Sequence, residues 1–455
     1  MRKKKLLEAL TKTTTYNNPP MPDQKQTPIE RVTEILLLAV IFVLPWQTRW
    51  IAIPGELNGG PWEYGTVSLY GLDILIILFL IFAIGHVALQ KRKLDINLSH
   101  WLAIFLVVVA FFSIVFAGNQ INALFWCAKL AEGVALFIFI PQLNIKRARI
   151  AAVLVITALI QSALAFQQFF MQQVIGLKWL GMASQLPETL GVQVVQVMQD
   201  GTSERILRAY GSLPHPNMLA GLLTVAILTA LVYYATHKTN TAQILYGAAL
   251  VILSSALFFT FSRQAWIALA AAVAILVAFT FIKQKQFPAR VAIGIAAVIL
   301  PFIVLTAMYP QLVTARMQSD APLEQLSMSE RQLYAEQATQ MLKKEWVTGV
   351  GMGNYTAFLH AQDAKQDIIK ETHDYQPVHN IYLLAFAELG IFGALGFILF
   401  LLSLFMGRDW KNPHTLAWAL PVIALLTIGL FDHYLLTLHF GILLLWLTSS
   451  QTKLI

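Results

Sequence analysis

What most limits the folding of this chain is the recurrence of apolar stretches long enough to cross a ~30 Å hydrocarbon core, one after another over nearly its whole length. Twelve crossings are expected, at about 32–46, 71–90, 98–117, 123–141, 150–172, 213–234, 243–261, 264–282, 289–308, 379–405, 415–431 and 438–450, of which the first and last are short. A charged fraction of 12% against 57% hydrophobic residues excludes an ordinary soluble enzyme, since soluble domains carry about twice that charge. The expected fold is an all-α polytopic membrane protein of about 12 transmembrane helices, with a large extracytoplasmic loop that contains short helices.

An even number of crossings puts both termini on one side, and the basic clusters identify it. Arg2 with Lys3 to Lys5, Lys91-Arg92-Lys93, Lys146-Arg147 with Arg149, Lys238, Lys283 with Lys285 and Arg290, and Arg408 with Lys411 all fall on the same face, which is therefore cytoplasmic. The net charge of +8 then reflects topology and contact with anionic lipid, and no nucleic-acid-binding module is present in the sequence. Residues 1–28, with Thr13 to Thr15 and Pro19-Pro20-Met21-Pro22, read as a disordered cytoplasmic tail, and 29–455 as the transmembrane domain. The tail lacks the features of a cleaved signal peptide, so the first crossing is expected to stay. A lone Cys127 excludes an intrachain disulfide and a multi-cysteine metal site.

Two outward loops are long, about 173–212 and 309–378, and long loops commonly carry function. The larger one is expected to contain a helix over Ser327–Glu345, with Ser327 and Glu330 at capping-box spacing and Leu333, Ala338, Met341 and Leu342 on one side. Gly349-Val350-Gly351-Met352-Gly353 follows it; with no preceding strand and no Lys-Ser/Thr pair, it reads as a flexible turn rather than a nucleotide loop.

Four residues stand out chemically. Arg263 lies in the turn Phe261-Ser262-Arg263-Gln264, one crossing from Lys238 and one from Lys283, on the outer face where short loops rarely hold cations. It either snorkels to headgroups or waits for a phosphate. Arg208 precedes Leu213-Pro214-His215-Pro216-Asn217, whose prolines fix an extended approach and whose Asn217 can cap the sixth crossing. Arg331 falls in the first turn of the expected loop helix, where the macrodipole disfavours a cation; a solvated or a functional role is equally open. His379 opens the tenth crossing, where the helix-end potential and nearby arginines favour a neutral imidazole, as a general base requires, although a structural hydrogen bond would also explain it. Gly390, Gly393 and Gly396 offer a groove for helix packing, and Glu388 falls on the face away from His379. Lys129 and Glu132 are spaced to pair on one helix, while Asp432, His433 and His439 lie near the last outer turn. The acidic residues Asp363, Asp367, Glu371 and Asp374 form no Asp-x-Asp, and no His-x-x-x-His occurs in the outer loops, so neither a metal site nor a cofactor is expected.

Taken in order, these pieces resemble the O-antigen ligase and polymerase superfamily over about residues 30–450. The most specific match is His379-Asn380, nine residues, then Gly390 and Gly393. Arg208 with Gly211, His215 to Ala220, Ser262 to Trp266, and Arg331 ahead of Gly349 to Tyr355 support it. The resemblance implies a GT-C-like glycosyltransferase of the bacterial inner membrane. It would move a glycan from an undecaprenyl-pyrophosphate-linked donor to an acceptor hydroxyl on a lipid, a growing glycan or a protein. It also implies His379 as the base, and Arg208, Arg263 and Arg331 as ligands of the pyrophosphate. The competing class is a transporter or flippase of a lipid-linked anionic glycan, which should show repeats or ionisable sites near the midplane.

Overall fold

The apolar stretches fold as helices whose ends are set by short polar signals. The computed structural model describes residues 26–91, 93–199, 202–237, 239–284, 288–317, 322–408, 410 and 413–451. The expected tail thus lies almost wholly outside the described residues. The first half carries α1 (Pro28–Val43), α2 (Gly71–Leu89), α3 (Leu98–Ser113), α4 (Gln120–Phe139) and α5 (Arg147–Met171). The centre carries α6 (Pro216–Thr236), α7 (Asn240–Phe259), α8 (Arg263–Gln284), α9 (Ala289–Met308), α10 (Pro310–Met317) and α11 (Pro322–Glu345). The last part holds α12 (Tyr355–Ala364), α13 (Ile381–Ser403), α14 (Pro413–Ile428), α15 (Tyr434–Thr437) and α16 (His439–Gln451).

Among the described residues nine helices are long and apolar enough to span a membrane: α2 to α9 and α13. The first, eleventh and twelfth expected crossings fall on α1, α14 and α16, of 16, 16 and 13 residues, which at 1.5 Å per residue reach only about 20–24 Å. α16 is buried along its whole length. It faces protein rather than lipid. α6 sits at the centre, packed against α5, α7, α8, α9 and α14, and is apolar all round, as a buried helix should be. α2 and α9 lie outside, turning Ile74, Ile77 and Ile81, and Ile293, Leu300 and Ile303, outward. An isoleucine belt of that kind suits lipid.

The connections at the His379 end are not all-α. Three two-stranded antiparallel sheets occur among the described residues: β1 (Arg49–Ile53) with β4 (Val67–Tyr70), β2 (Glu56–Leu57) with β3 (Gly60–Pro61), and β5 (Val194–Gln199) with β6 (Thr202–Leu207). The last joins Val- and Ile-bearing runs across Asp200-Gly201, a two-residue hairpin signal that a search for membrane spans passes over. The segment 44–70 is a further ordered segment at this end of the bundle. It reaches the large loop through Asn58 Nδ2 to the Lys370 carbonyl (2.8 Å) and Tyr64 Oη to Gln376 Oε1 (2.6 Å).

The loop helix starts earlier than its capping-box spacing implied. α11 begins at Pro322, whose fixed φ suits a first helical position, so Ser327 lies inside it. Arg331 is then in its third turn, beyond the reach of the helix-end potential. Tyr334, Ala338 and Met341 form its buried stripe against Val378, Leu384 and Ala387 of the chain around α13, while Leu333 stays exposed.

Gly390 is not a packing groove. It breaks α13 with φ 63° and ψ −167°, and a Cβ there would run into the Val347 carbonyl oxygen. Into this break docks the glycine turn: Val350 N donates to the Ala387 carbonyl (3.0 Å), Gly351 N to the Glu388 carbonyl (2.9 Å), and Ile391 N to the Trp346 carbonyl (2.9 Å). The Glu388 carboxylate accepts from Gly353 N (2.9 Å). The segment is a turn, as expected, but a pinned one. Gly396 does act as a groove, admitting Phe105 of α3.

Candidate functional site

The site is assembled where four chain segments meet at one end of the bundle. At the start of α6, His215 is the N-cap, its Nδ1 accepting from Asn217 N (3.1 Å), with Pro216 as the first helical residue. Asn217 was the expected cap; relieved of that role, its amide points inward. Its Oδ1 accepts from Arg208 Nη2 (2.8 Å) and its Nδ2 donates to Asp432 Oδ2 (2.8 Å). The Arg208 guanidinium, fully buried, also donates through Nε to the Thr260 carbonyl (2.7 Å). Asp432, in the turn after α14, accepts in addition from Gln264 Nε2 (2.6 Å) and from the backbone N of His433 (2.8 Å).

His379 stands two residues ahead of the first residue of α13, just before its N-cap, rather than in its first position. Asn380 is the N-cap, its Oδ1 accepting from the backbone N of Tyr382 and Leu383, both at 3.0 Å. The His379 ring stacks on Tyr334 of α11 (centroids 5.6 Å apart, 9° between planes) and meets His433 edge-on at 4.7 Å. Its Nδ1 is buried without a hydrogen-bond partner among the described residues.

Around these groups lies a cavity of about 550 Å³, lined by Arg205, Arg208, Arg316 and Arg331, by Glu330 and Asp432, by His215, His373, His379 and His433, and by Tyr64, Gln193 and Tyr334 among others. The structure thus brings Arg208, Arg331 and His379 to one chamber. Arg263, the first residue of α8, is close by but does not line it: Nη1 donates to the Arg316 carbonyl (3.2 Å).

The cavity is electropositive. Burial, with Arg263 and Arg331, pushes the Arg208 guanidinium down to about 10, and burial with Arg208, Arg263 and Arg331 takes Arg316 to about 8. Guanidinium gives up its proton reluctantly, so the strain stays as repulsion that an anionic ligand relieves. Burial first, then Arg331, lowers the pKa of His379 against the pull of Asp432, and burial takes His215 and His433 to about 3, so the imidazoles are neutral. Burial alone would raise the Asp432 carboxyl; the facing histidines, His433 first, which gain their protons only at the acid pH where this carboxyl titrates, and the Gln264 hydrogen bond outweigh it and hold it low. Such a chamber can bind a multiply charged anion and accept a proton beside it.

Sequence reasoning missed Arg316, Arg205, Asn217's inward role and Asp432's central one. An Asp-His pair beside the last outer turn was the available signal for Asp432; Arg316 had none. His439, grouped with Asp432 in the sequence, belongs elsewhere. It lies at the start of α16, its Nε2 2.8 Å from Asp73 Oδ1 and 3.6 Å from Glu132 Oε2. Lys129 Nζ sits 2.5 Å from Asp73 and 3.5 Å from Glu132. The expected Lys129–Glu132 pair is therefore part of a four-residue cluster from three helices. Asp73, Glu132 and His439 bring ligand atoms within 4.8 Å of one another, which is metal-capable spacing that no local motif announced. Lys129 already pairs with both carboxylates, so ion pairing describes this cluster better than metal binding.

Residues 248–398 match a family model described as O-antigen ligase, which supports the superfamily that the motifs resemble. The match contains Arg263, Arg316, Arg331 and His379, while Arg208 and Asp432 lie outside it. No curated protein matches the chain.

Proposed function

We propose that this multi-pass membrane protein, with its O-antigen ligase domain, transfers a glycan from undecaprenyl pyrophosphate to an acceptor hydroxyl on the extracytoplasmic side of the bacterial inner membrane. The observation that supports it most is the meeting of His379, Arg208 and Arg331, from segments far apart in sequence, in one electropositive cavity. The acceptor oxygen forms a bond to the anomeric carbon as the bond from that carbon to the pyrophosphate oxygen breaks, in one step that inverts the centre. The acceptor proton passes to the neutral imidazole of His379. Undecaprenyl pyrophosphate departs with its negative charge met by arginine, through charge-assisted hydrogen bonds that strengthen as the charge develops. Arg208 and Arg331 line the path; Arg263 adds positive charge from behind. No step needs a metal or cofactor.

A transporter remains the second reading, favoured only by the buried Asp73, Lys129, Glu132 and His439 within the bundle. Their mutual pairing suits a structural role better. Purified protein given lipid-linked glycan and candidate acceptors tests the proposal: glycan should move to the acceptor, and movement of intact lipid-linked glycan between leaflets without transfer would refute it.

A further inference from the structure

The break in α13 at Gly390 takes no direct part in the chemistry of the cavity, yet what docks there leads back to His379. The turn after α11 seats on the break, and its Gly353 N donates to the Glu388 carboxylate (2.9 Å). The same carboxylate accepts from Tyr355 N (3.4 Å) at the first residue of α12, where the helix-end potential favours an anion. Tyr355 then donates through Oη to the Tyr334 carbonyl of α11 (3.1 Å). Tyr334 lays its ring nearly parallel to the His379 imidazole, with centroids 5.6 Å apart and 9° between the planes. Glu388, Tyr355 and Tyr334 are all buried, and Ala338, Met341, Val350, Val378, Leu384 and Ala387 pack around the two tyrosines. The path leaves α13 at Glu388 and returns to the residue just ahead of that helix's cap.

Resting on the reading that His379 is the base, we propose that Tyr334 is a positioning residue that fixes the plane of the His379 ring, and that Tyr355 holds Tyr334 against it. An imidazole nitrogen accepts a proton along its lone pair, in the plane of the ring, so a ring that turns loses its aim at the acceptor hydroxyl. The torsion that turns it has broad minima, so the limit must come from neighbours. Tyr334 lies along one face, and His433 meets the imidazole at 82° with centroids 4.7 Å apart. The ring of Tyr334, not its hydroxyl, is what the role requires. Arg331 stands one turn earlier on α11 and also lines the cavity, so one helix serves both the leaving group and the base.

The test uses purified full-length protein as wild type, His379→Ala, Tyr334→Phe, Tyr334→Leu, Tyr355→Phe and the double Tyr334→Leu/Tyr355→Phe. Each is measured for kcat and KM with lipid-linked donor and for thermal unfolding in detergent. Tyr334→Leu should lower kcat ~10- to 100-fold, as a misplaced reacting group does, with the donor KM within about twofold of wild type. Tyr334→Phe keeps the ring and should hold kcat within ~3-fold. Tyr355→Phe should lower kcat a smaller ~2- to 10-fold, and the double variant should match Tyr334→Leu, since Tyr355 acts through that ring. A tyrosine that only packs would lower the unfolding temperature and leave kcat per folded molecule alone, and that result overturns the proposal. So does Tyr334→Phe as slow as Tyr334→Leu, which assigns the work to the hydroxyl, or Tyr334→Leu with raised KM and normal kcat, which makes Tyr334 a donor contact. Where Tyr334→Leu fails to fold, Tyr355→Phe removes one oxygen, keeps the packing and decides: a wild-type kcat there overturns the assignment. A slow His379→Ala beside a normal Tyr334→Leu brings down this assignment alone. A His379→Ala at wild-type rate brings down the base itself.

Discussion

Two clusters of charge in this protein use the same side chains to opposite ends. In the Asp73, Lys129, Glu132 and His439 cluster, one ammonium and one imidazole face two carboxylates in an enclosed setting, so each carboxylate finds its partners within the protein. In the cavity, Arg205, Arg208, Arg316 and Arg331 face Glu330 and Asp432, and Asp432's oxygens are committed to neighbouring amides. A closed cluster whose members partner one another holds helices in register. An open one that lines a cavity can be completed by something from outside. The lesson is that burial of charge alone does not mark a site; the sign left over does.

The sharpest way to separate the two clusters is to remove one residue from each. His379→Ala should cost ~10²- to 10⁴-fold in transfer rate, the range of a lost general base, with a far smaller effect on unfolding, since the residue lies ahead of the helix cap and loses only its ring contacts with Tyr334 and His433. Rate and unfolding measured on one preparation decide it, and wild-type transfer would move the base elsewhere. Lys129→Met should do the reverse. It leaves two carboxylates beside one histidine and should cost roughly 3–5 kcal/mol of stability, while transfer per folded molecule stays near normal. If Lys129→Met keeps its stability but loses transfer, the cluster is functional and the distinction collapses.

Smaller effects sharpen the picture. Burial and Arg331 lower the pKa of His379, so its neutral, proton-accepting form persists below the ordinary histidine value. The kcat/KM profile should therefore stay level from neutral pH down through about 6.5 and fall only below it, as the imidazole gains a proton. An acid limb centred above that value would contradict a buried base flanked by arginines. EDTA should have the least effect, leaving both transfer and unfolding unchanged, since the cavity answers charge with arginine and the enclosed carboxylates have Lys129. Activity lost to EDTA and restored by magnesium would move metal into the cavity; stability lost alone would place it at Asp73, Glu132 and His439.

Much of this arrangement was legible along the chain. The apolar stretches announced all nine long apolar helices among the described residues, because removing a backbone from water is a local demand that any twenty-residue apolar run must meet. His379, Arg208 and Arg331 stood out for a similar reason: a cation or imidazole at the edge of an apolar run is conspicuous by itself. The short last stretch was read at its true length but as a crossing, whereas protein surrounds α16 along its whole length. Gly390 was read as a groove because a glycine's φ is invisible in sequence, and only the docking of Trp346 to Gly353 shows that α13 must break there. Arg316 had no signal, because its meaning depends on the Phe261 carbonyl, 55 positions away, and on a cavity that three other segments enclose. Asp432 and His439, seven residues apart, looked like one group until the turn and α15 between them sent one to the cavity and the other to Asp73. The sequence by itself thus determined which segments leave water and which side chains are out of place there; which charges end up facing one another was decided only when distant helices packed, since pairing is a property of the space between elements and not of any element alone.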